Sequence, residues 1–191
     1  MKLNLHFRLD AASDDWARRS NAAVRAVAPS RIDFSETGRM TPHVTLAMGF
    51  LAESASLEAV QSDLEAFMVG LTESDRRVDC AVTDVHLDVT QGRYILADLA
   101  PTAAFLDLRR AVRALLLGEH LVVGGSYADT PHVTLAYVEN DAERALAAAL
   151  ASPPPARMVL SGLALGQVGS RGAVISTLAS WPATTQAGAP V

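Results

Sequence analysis

Seven consecutive residues occur twice in this chain. Thr41-Pro42-His43-Val44-Thr45-Leu46-Ala47 returns unchanged as Thr130-Pro131-His132-Val133-Thr134-Leu135-Ala136, 89 residues later in a chain of 191. A repeat at nearly half the chain length constrains the fold more than any propensity does, because it asks for two similar halves with one copy of the stretch in each. Within each copy the alternation of polar and apolar residues is that of a strand, with proline tolerated only at its start.

The flanking sequence can be read on the same plan. Residues 2–9 alternate, with Leu3, Leu5, Phe7 and Leu9 on one face and Asn4, His6 and Arg8 on the other. Ser13 is the expected N-cap of a helix to about Ala28, with Trp16, Ala23 and Val27 as its apolar stripe and Pro29 as its stop. A helix from Ser54 or Ser56 to about Leu71 follows the first motif strand. Strands at 78–87 and 93–99, joined by a hairpin loop at 88–92, then lead to a helix capped by Thr102 and stopped by Gly118. The second motif strand, 130–138, precedes a short helix with a capping-box start at Asn140 and Glu143 and a stop at Pro153-Pro154-Pro155. Strands at 157–168 and 172–178 form a closing hairpin. Several connections are too short for a parallel crossover. The expected architecture is therefore α+β: two similar lobes with largely antiparallel sheets around a central cleft, related by a pseudo-two-fold. Residues 1–182 form a single bilobal domain and 183–191 a flexible tail.

Composition excludes several functions. The formal charge of −5 argues against a general grip on duplex DNA, which requires many cations on phosphates. The single cysteine, Cys80, can form no disulfide within the chain, and no apolar run reaches membrane-spanning length, so the reading is a cytoplasmic monomer without a membrane partner. No nucleotide-triphosphatase phosphate loop is present, and Gly166-x-x-Gly169-x-x-Gly172 is not a dinucleotide fingerprint.

In a strand, residues i and i+2 share a face. His43 and Thr45 therefore point one way, as do His132 and Thr134, while Val44, Leu46, Val133 and Leu135 point to the core. Brought to one groove, two imidazoles and two hydroxyls suit phosphate chemistry. One neutral histidine can take a proton from an attacking oxygen and one protonated histidine can give a proton to the leaving oxygen. The threonines can hydrogen bond to non-bridging oxygens. No metal or other cofactor is needed. Arg39, Tyr127, Arg93 and Arg171, in or beside loops near the motif strands, are the further candidates for binding substrate. His86 and His120 have no partner spacing and read as structural or exposed.

On these residues the chain resembles the two-histidine phosphoesterase superfamily, whose signature is a pair of His-x-Thr/Ser motifs on strands of two related lobes. That superfamily includes RNA 2′,3′-cyclic phosphodiesterases and 2′-5′ RNA ligase-like proteins. The resemblance implies that His43 and His132 are an acid/base pair, that Thr45 and Thr134 bind phosphate, and that the substrate is a nucleotide or RNA terminus carrying a cyclic or 2′-5′ phosphodiester. Where ligase-like members often have an arginine directly after the second motif strand, this chain has Tyr137. A binding module that does not turn its ligand over, a 2′-5′ ligase-like activity and a metallohydrolase are the alternatives. The last lacks carboxylates in the motifs and the i, i+4 histidine spacing of a zinc protease.

Overall fold

The apolar face of the first strand is buried as its alternation predicts: in β1 (Lys2–Leu9) Leu3, Leu5 and Phe7 are completely buried, but Asn4 and His6 on the opposite face are buried too. The structure, a computed structural model, describes residues 1–90, 93–123 and 130–183. After β1 come α1 (Ala11–Val27), β2 (His43–Leu51), α2 (Leu57–Val69), β3 (Arg77–Asp88), β4 (Tyr94–Leu99), α3 (Ala103–Leu116), β5 (Leu121–Val122), β6 (His132–Tyr137), α4 (Ala142–Leu150), β7 (Arg157–Val168) and β8 (Val174–Trp181).

Every pairing between these strands is antiparallel. The order is β1-β2-β6-β4-β3-β7-β8, β5 lies beside β2, and β7 also pairs with β1. This is the expected α+β fold, but the halves are interleaved more deeply than two adjacent lobes. The last strand of each half leaves its own neighbours: β3 pairs with β4 of the second half, and β7 with β1 of the first. The motif strands β2 and β6 meet at a single pair, Val44 and Val133, which are the same position of the repeat. The approximate two-fold relation of the halves therefore passes between the two copies of the heptapeptide.

Helices cover the outer face and bury their stripes in one apolar core, for example Val60, Leu64 and Met68 of α2 and Phe105, Val112 and Leu116 of α3. Phe105 stacks on Phe7 with centroids 6.0 Å apart. Burial on this scale stabilises by about 1.5–3 kcal/mol per large apolar side chain. Cys80 belongs to the same core. A smaller cluster, Ile32, Phe34 and Tyr137 with Met40 and Tyr94 against it, sits apart beside the motif strands.

Two expected helix starts are corrected. The cap of α1 is Asp10, whose carboxylate accepts from the Ser13 N–H at 2.9 Å, because the Ser13 hydroxyl is turned inward to accept from the Val159 N–H. The α1 stripe is Trp16, Ala17, Ser20, Asn21 and Val24, one face over from the one that its apolar residues suggest. Helix α4 begins after Asp141, which has left-handed φ and makes no side-chain cap, rather than from a capping box at Asn140. The 88–92 loop lies partly, and the tail from residue 184 wholly, outside the described residues.

Candidate active site

Each copy of the heptapeptide sets the tautomer of its own histidine. His43 Nδ1 lies 2.8 Å from the Thr41 carbonyl oxygen and His132 Nδ1 lies 3.0 Å from the Thr130 carbonyl oxygen. A carbonyl only accepts, so in both rings Nδ1 carries a proton; in the neutral imidazole the lone pair is then on Nε2. The two histidines and Thr45 and Thr134 line one cleft of about 370 Å³, the size of a small-ligand site.

Strand alternation accounts for His43 and Thr45 but not for the residues beyond them. The ladder of β2 with β1 steps from His6–Thr45 to Leu5–Ala47, and that of β6 with β4 from Leu96–Thr134 to Ile95–Ala136. Leu46 and Leu135 are thus the extra residues of two β-bulges at the same place in the repeat. A bulge shifts the alternation by one. As a result Met48, and not Ala47, joins His43 and Thr45 in the lining of the cleft, and Tyr137 packs beside it against Ile32 and Phe34. Each bulged carbonyl is held by a side chain from a helix of the other half. Asn21 of α1 donates to the Leu135 oxygen at 2.8 Å, and Arg113 of α3 to the Leu46 oxygen at 3.2 Å. Asn21 also donates to the Ile32 carbonyl and accepts from the Phe34 N–H, which ties the apolar wall of the cleft to the second motif strand.

The two copies have different neighbours. By register, Asn4 and His6 of β1 stand where Tyr94 and Leu96 of β4 stand in the other half. The Asn4 amide donates to His43 Nε2 at 3.2 Å and to the Thr45 hydroxyl oxygen at 2.9 Å. Behind His43, with ring centroids 4.8 Å apart, lies His6, which is fully buried and donates from Nδ1 to the Asn4 carbonyl. Burial pushes the His6 imidazole down to about 3, with the His43 charge acting in the same direction. Burial likewise lowers His43 to about 4; its bond to the Thr41 carbonyl opposes the shift and the neighbouring charge of His132 adds to it. On the other side, Asp88 faces the second histidine. Its carboxyl is held below the usual range chiefly by bonds from the Thr90 hydroxyl and N–H, and further by the charges of His86 and His132.

Of the four further residues expected to bind substrate, Arg171 lines the cleft. It lies in the turn between β7 and β8 with a left-handed φ of 60°, its guanidinium 4.3 Å over the Tyr137 ring and its charge acting on the Tyr94 hydroxyl. A non-glycine residue held in that region stores strain, and such strain gathers at functional sites. Arg39 is exposed outside the cleft lining, and Arg93 donates to the Glu139 carbonyl at 2.6 Å on the surface; the structure brings neither to the histidines. Tyr127 lies outside the described residues. His86 lies near Asp84 and Asp98, and His120 pairs with Asp63 at 2.8 Å, away from the cleft. Lys2 and Arg109, which the sequence did not single out, also line the cleft. Among the described residues no three His, Cys, Asp or Glu side chains gather as a metal site.

A family model described as the 2′-5′ RNA ligase superfamily matches residues 11–171. Among solved structures, the chain is similar to TT0787 of Thermus thermophilus, with a TM-score of 0.63, 21% identity, and 95% of this chain and 97% of that one covered. It is also similar to LigT of E. coli, with a TM-score of 0.58, 18% identity and coverage of 95% and 96%. A third relative in structure is Usb1 of Kluyveromyces marxianus, solved with uridine monophosphate, with a TM-score of 0.55, 15% identity and coverage of 95% and 97%. At these identities the likeness is one of fold. Compared by sequence with curated proteins, the chain has no match.

Proposed function

Because the chain belongs to the 2′-5′ RNA ligase superfamily, whose two-histidine members are phosphoesterases, we propose that it is a metal-independent phosphodiesterase that opens 2′,3′-cyclic phosphates at RNA ends or on nucleotides. The observation that carries this reading is the matched pair of imidazoles, each fixed through Nδ1 by its own motif, with a hydroxyl two residues on, in one cleft. LigT has been solved with 3′-AMP and Usb1 with uridine monophosphate, which supports a nucleotide as the ligand.

The asymmetry of the two sites supports one division of roles. His43, lowered to about 4, is neutral near pH 7 and holds its lone pair on Nε2, so it is the base that takes a proton from the attacking water. The water oxygen bonds to phosphorus as the bond from phosphorus to one ring oxygen breaks. His132, opposite the Asp88 carboxylate, gives that oxygen its proton and leaves a hydroxyl beside a phosphomonoester. The Thr45 and Thr134 hydroxyls donate to the non-bridging oxygens, whose charge grows in the transition state. Arg171, carried over Tyr137, places a guanidinium in the same cleft although the second motif is followed by tyrosine.

The test is incubation of the purified protein with the four nucleoside 2′,3′-cyclic phosphates and with 2′-5′-linked oligonucleotides in excess EDTA. Phosphomonoester product from a cyclic phosphate is expected. Tight binding with unchanged ligand after long incubation would replace the hydrolase with a binding module, and cleavage of only the 2′-5′ linkage would move the activity toward the ligase-like group.

A further inference from the structure

The repeat places the same two functional groups in each half, yet among the described residues only the first copy has an amide bonded to both of them. Asn4 reaches both members of that copy with one amide nitrogen, 3.2 Å from His43 Nε2 and 2.9 Å from Thr45 Oγ1, while its own oxygen is buried and meets no partner. The residue is completely buried, and its backbone carbonyl is held by the His6 ring that packs on His43. In the second half the same register position is Tyr94, which packs on Tyr137.

A buried amide with one end doubly engaged and the other end idle has a use beside an imidazole that changes charge. With its nitrogen toward Nε2 the amide donates to the lone pair of neutral His43. Half a turn about its last torsion, a soft two-fold rotation, presents the idle oxygen to the N–H of the imidazolium. The Thr45 hydroxyl follows either orientation because it both donates and accepts. We propose that Asn4 is a positioning residue of the reaction, a reversible amide that holds His43 and Thr45 as one unit before the attacking water takes its place at Nε2 and again, through its oxygen, once the imidazolium has formed. The inference rests on the acid/base reading above and adds the residue that makes the first histidine unlike the second.

The charged and titratable groups that face His43 are His6 and Arg8 from β1, His132 from β6 and, around the cleft, Lys2, Asp88, Tyr94, Arg109 and Arg171. Amid these groups Asn4 is an uncharged side chain in hydrogen-bond contact with Nε2. Replacing it with a carboxylate of the same shape, Asn4→Asp, leaves only acceptors at that position and favours the imidazolium.

The decisive measurement is an NMR titration of the histidine ring nitrogens in the wild-type protein and in Asn4→Asp. The His43 midpoint is expected to rise by about one pH unit or more, the usual effect of an opposite charge at contact distance. An unmoved His43 midpoint would overturn the proposal. Should Asn4→Asp fail to fold, Asn4→Leu decides. It fills the space without hydrogen bonds, and kcat on the cyclic phosphate is expected to fall about tenfold or more with little change in KM. Wild-type kcat and an unaltered pH profile in Asn4→Leu would also overturn it. Because the titration needs no turnover, an inactive wild-type protein would sink the hydrolase reading and still leave Asn4 tested.

Discussion

The two motif strands share a heptapeptide, a bulge at its sixth residue and a hydrogen bond that fixes the histidine tautomer, yet they differ in everything behind those features. Behind His43 lie Asn4 and the buried His6; at the same positions behind His132 are Tyr94 and Leu96. One imidazole is desolvated and held neutral, and the other looks toward a carboxylate. An internal duplication thus supplies two equal groups, and the strand next to each makes them unequal. A reaction that needs a base and an acid at one pH needs that inequality.

The largest effects should come from breaking the pair itself. His43→Ala and His132→Ala are each expected to lower kcat/KM about a hundredfold or more on a nucleoside 2′,3′-cyclic phosphate. The comparison sharpens when the leaving group is changed. On an aryl phosphodiester, whose leaving oxygen needs no proton, His132→Ala should recover most of its loss and His43→Ala should not. Equal recovery in both variants would remove the assignment of roles. The hydroxyls come next: Thr45→Val and Thr134→Val should each cost roughly tenfold in kcat, the worth of one hydrogen bond to a charged group. Since Thr45 is also held by Asn4 and Thr134 has no counterpart of that amide among the described residues, Asn4→Leu should add little to Thr134→Val beyond its own effect, and should combine with Thr45→Val less than additively in a double-mutant cycle.

A third comparison concerns acid. In the folded chain His6 and His43 titrate near 3 and 4, far below the ordinary 6.5 of an unfolded histidine. The unfolded chain therefore binds more protons between those values. Stability from this source is fully present above about pH 6.5 and is lost as the pH falls, at up to ~1.4 kcal/mol per unit for each histidine. His6→Leu installs the residue that the second half uses at the same position. Chemical denaturation at pH 7, 6, 5 and 4 should show a shallower loss of stability in His6→Leu than in the wild type. Parallel curves would mean that His6 is not the buried neutral group described.

Much of this was legible in the chain because it is written in periodicity. The alternation of residues 2–9 set Asn4, His6 and Arg8 on the face of β1 opposite the core residues Leu3, Leu5 and Phe7, and the repeat set His43, Thr45, His132 and Thr134 on the cleft. What was not legible depends on contacts across the fold. A bulge has no signature within a strand that is apolar on both sides of it, so Met48 and Tyr137 fall on the wrong face by simple alternation. The α1 stripe was displaced because two of its buried members, Ser20 and Asn21, are polar and serve the interior, Asn21 by holding the Leu135 carbonyl 114 residues away. Arg93 and Arg171 look alike as loop arginines. A carbonyl at Glu139 takes the first and the ring of Tyr137 carries the second. The exchange of β3 and β7 between the halves likewise lies in pairings that no local pattern encodes.

The smallest expected effect tests the one departure from the motif pattern, at Tyr137. Its ring supports the Arg171 guanidinium at 4.3 Å, and Tyr94 meets it edge-on with centroids 4.8 Å apart, its hydroxyl within reach of the same positive charge. The cation is thus supplied from the β7–β8 turn and placed by two aromatic rings of the second half, where the first half offers Met48 and Asn4. Stacking of this kind is worth about 0.5–2 kcal/mol, and Arg171 stands at the wall of the cleft, so it should act on binding more than on the chemical step. Arg171→Ala is expected to raise KM several-fold, the order of one exposed ion pair with a phosphate, with kcat nearly unchanged. Tyr137→Phe keeps the ring and should leave both constants near wild type, whereas Tyr137→Leu should reproduce the KM effect of Arg171→Ala. A fall in kcat with KM unchanged in Arg171→Ala would instead place the guanidinium on the phosphate in the transition state, and Tyr137 would then be part of the catalytic geometry and not only of its wall.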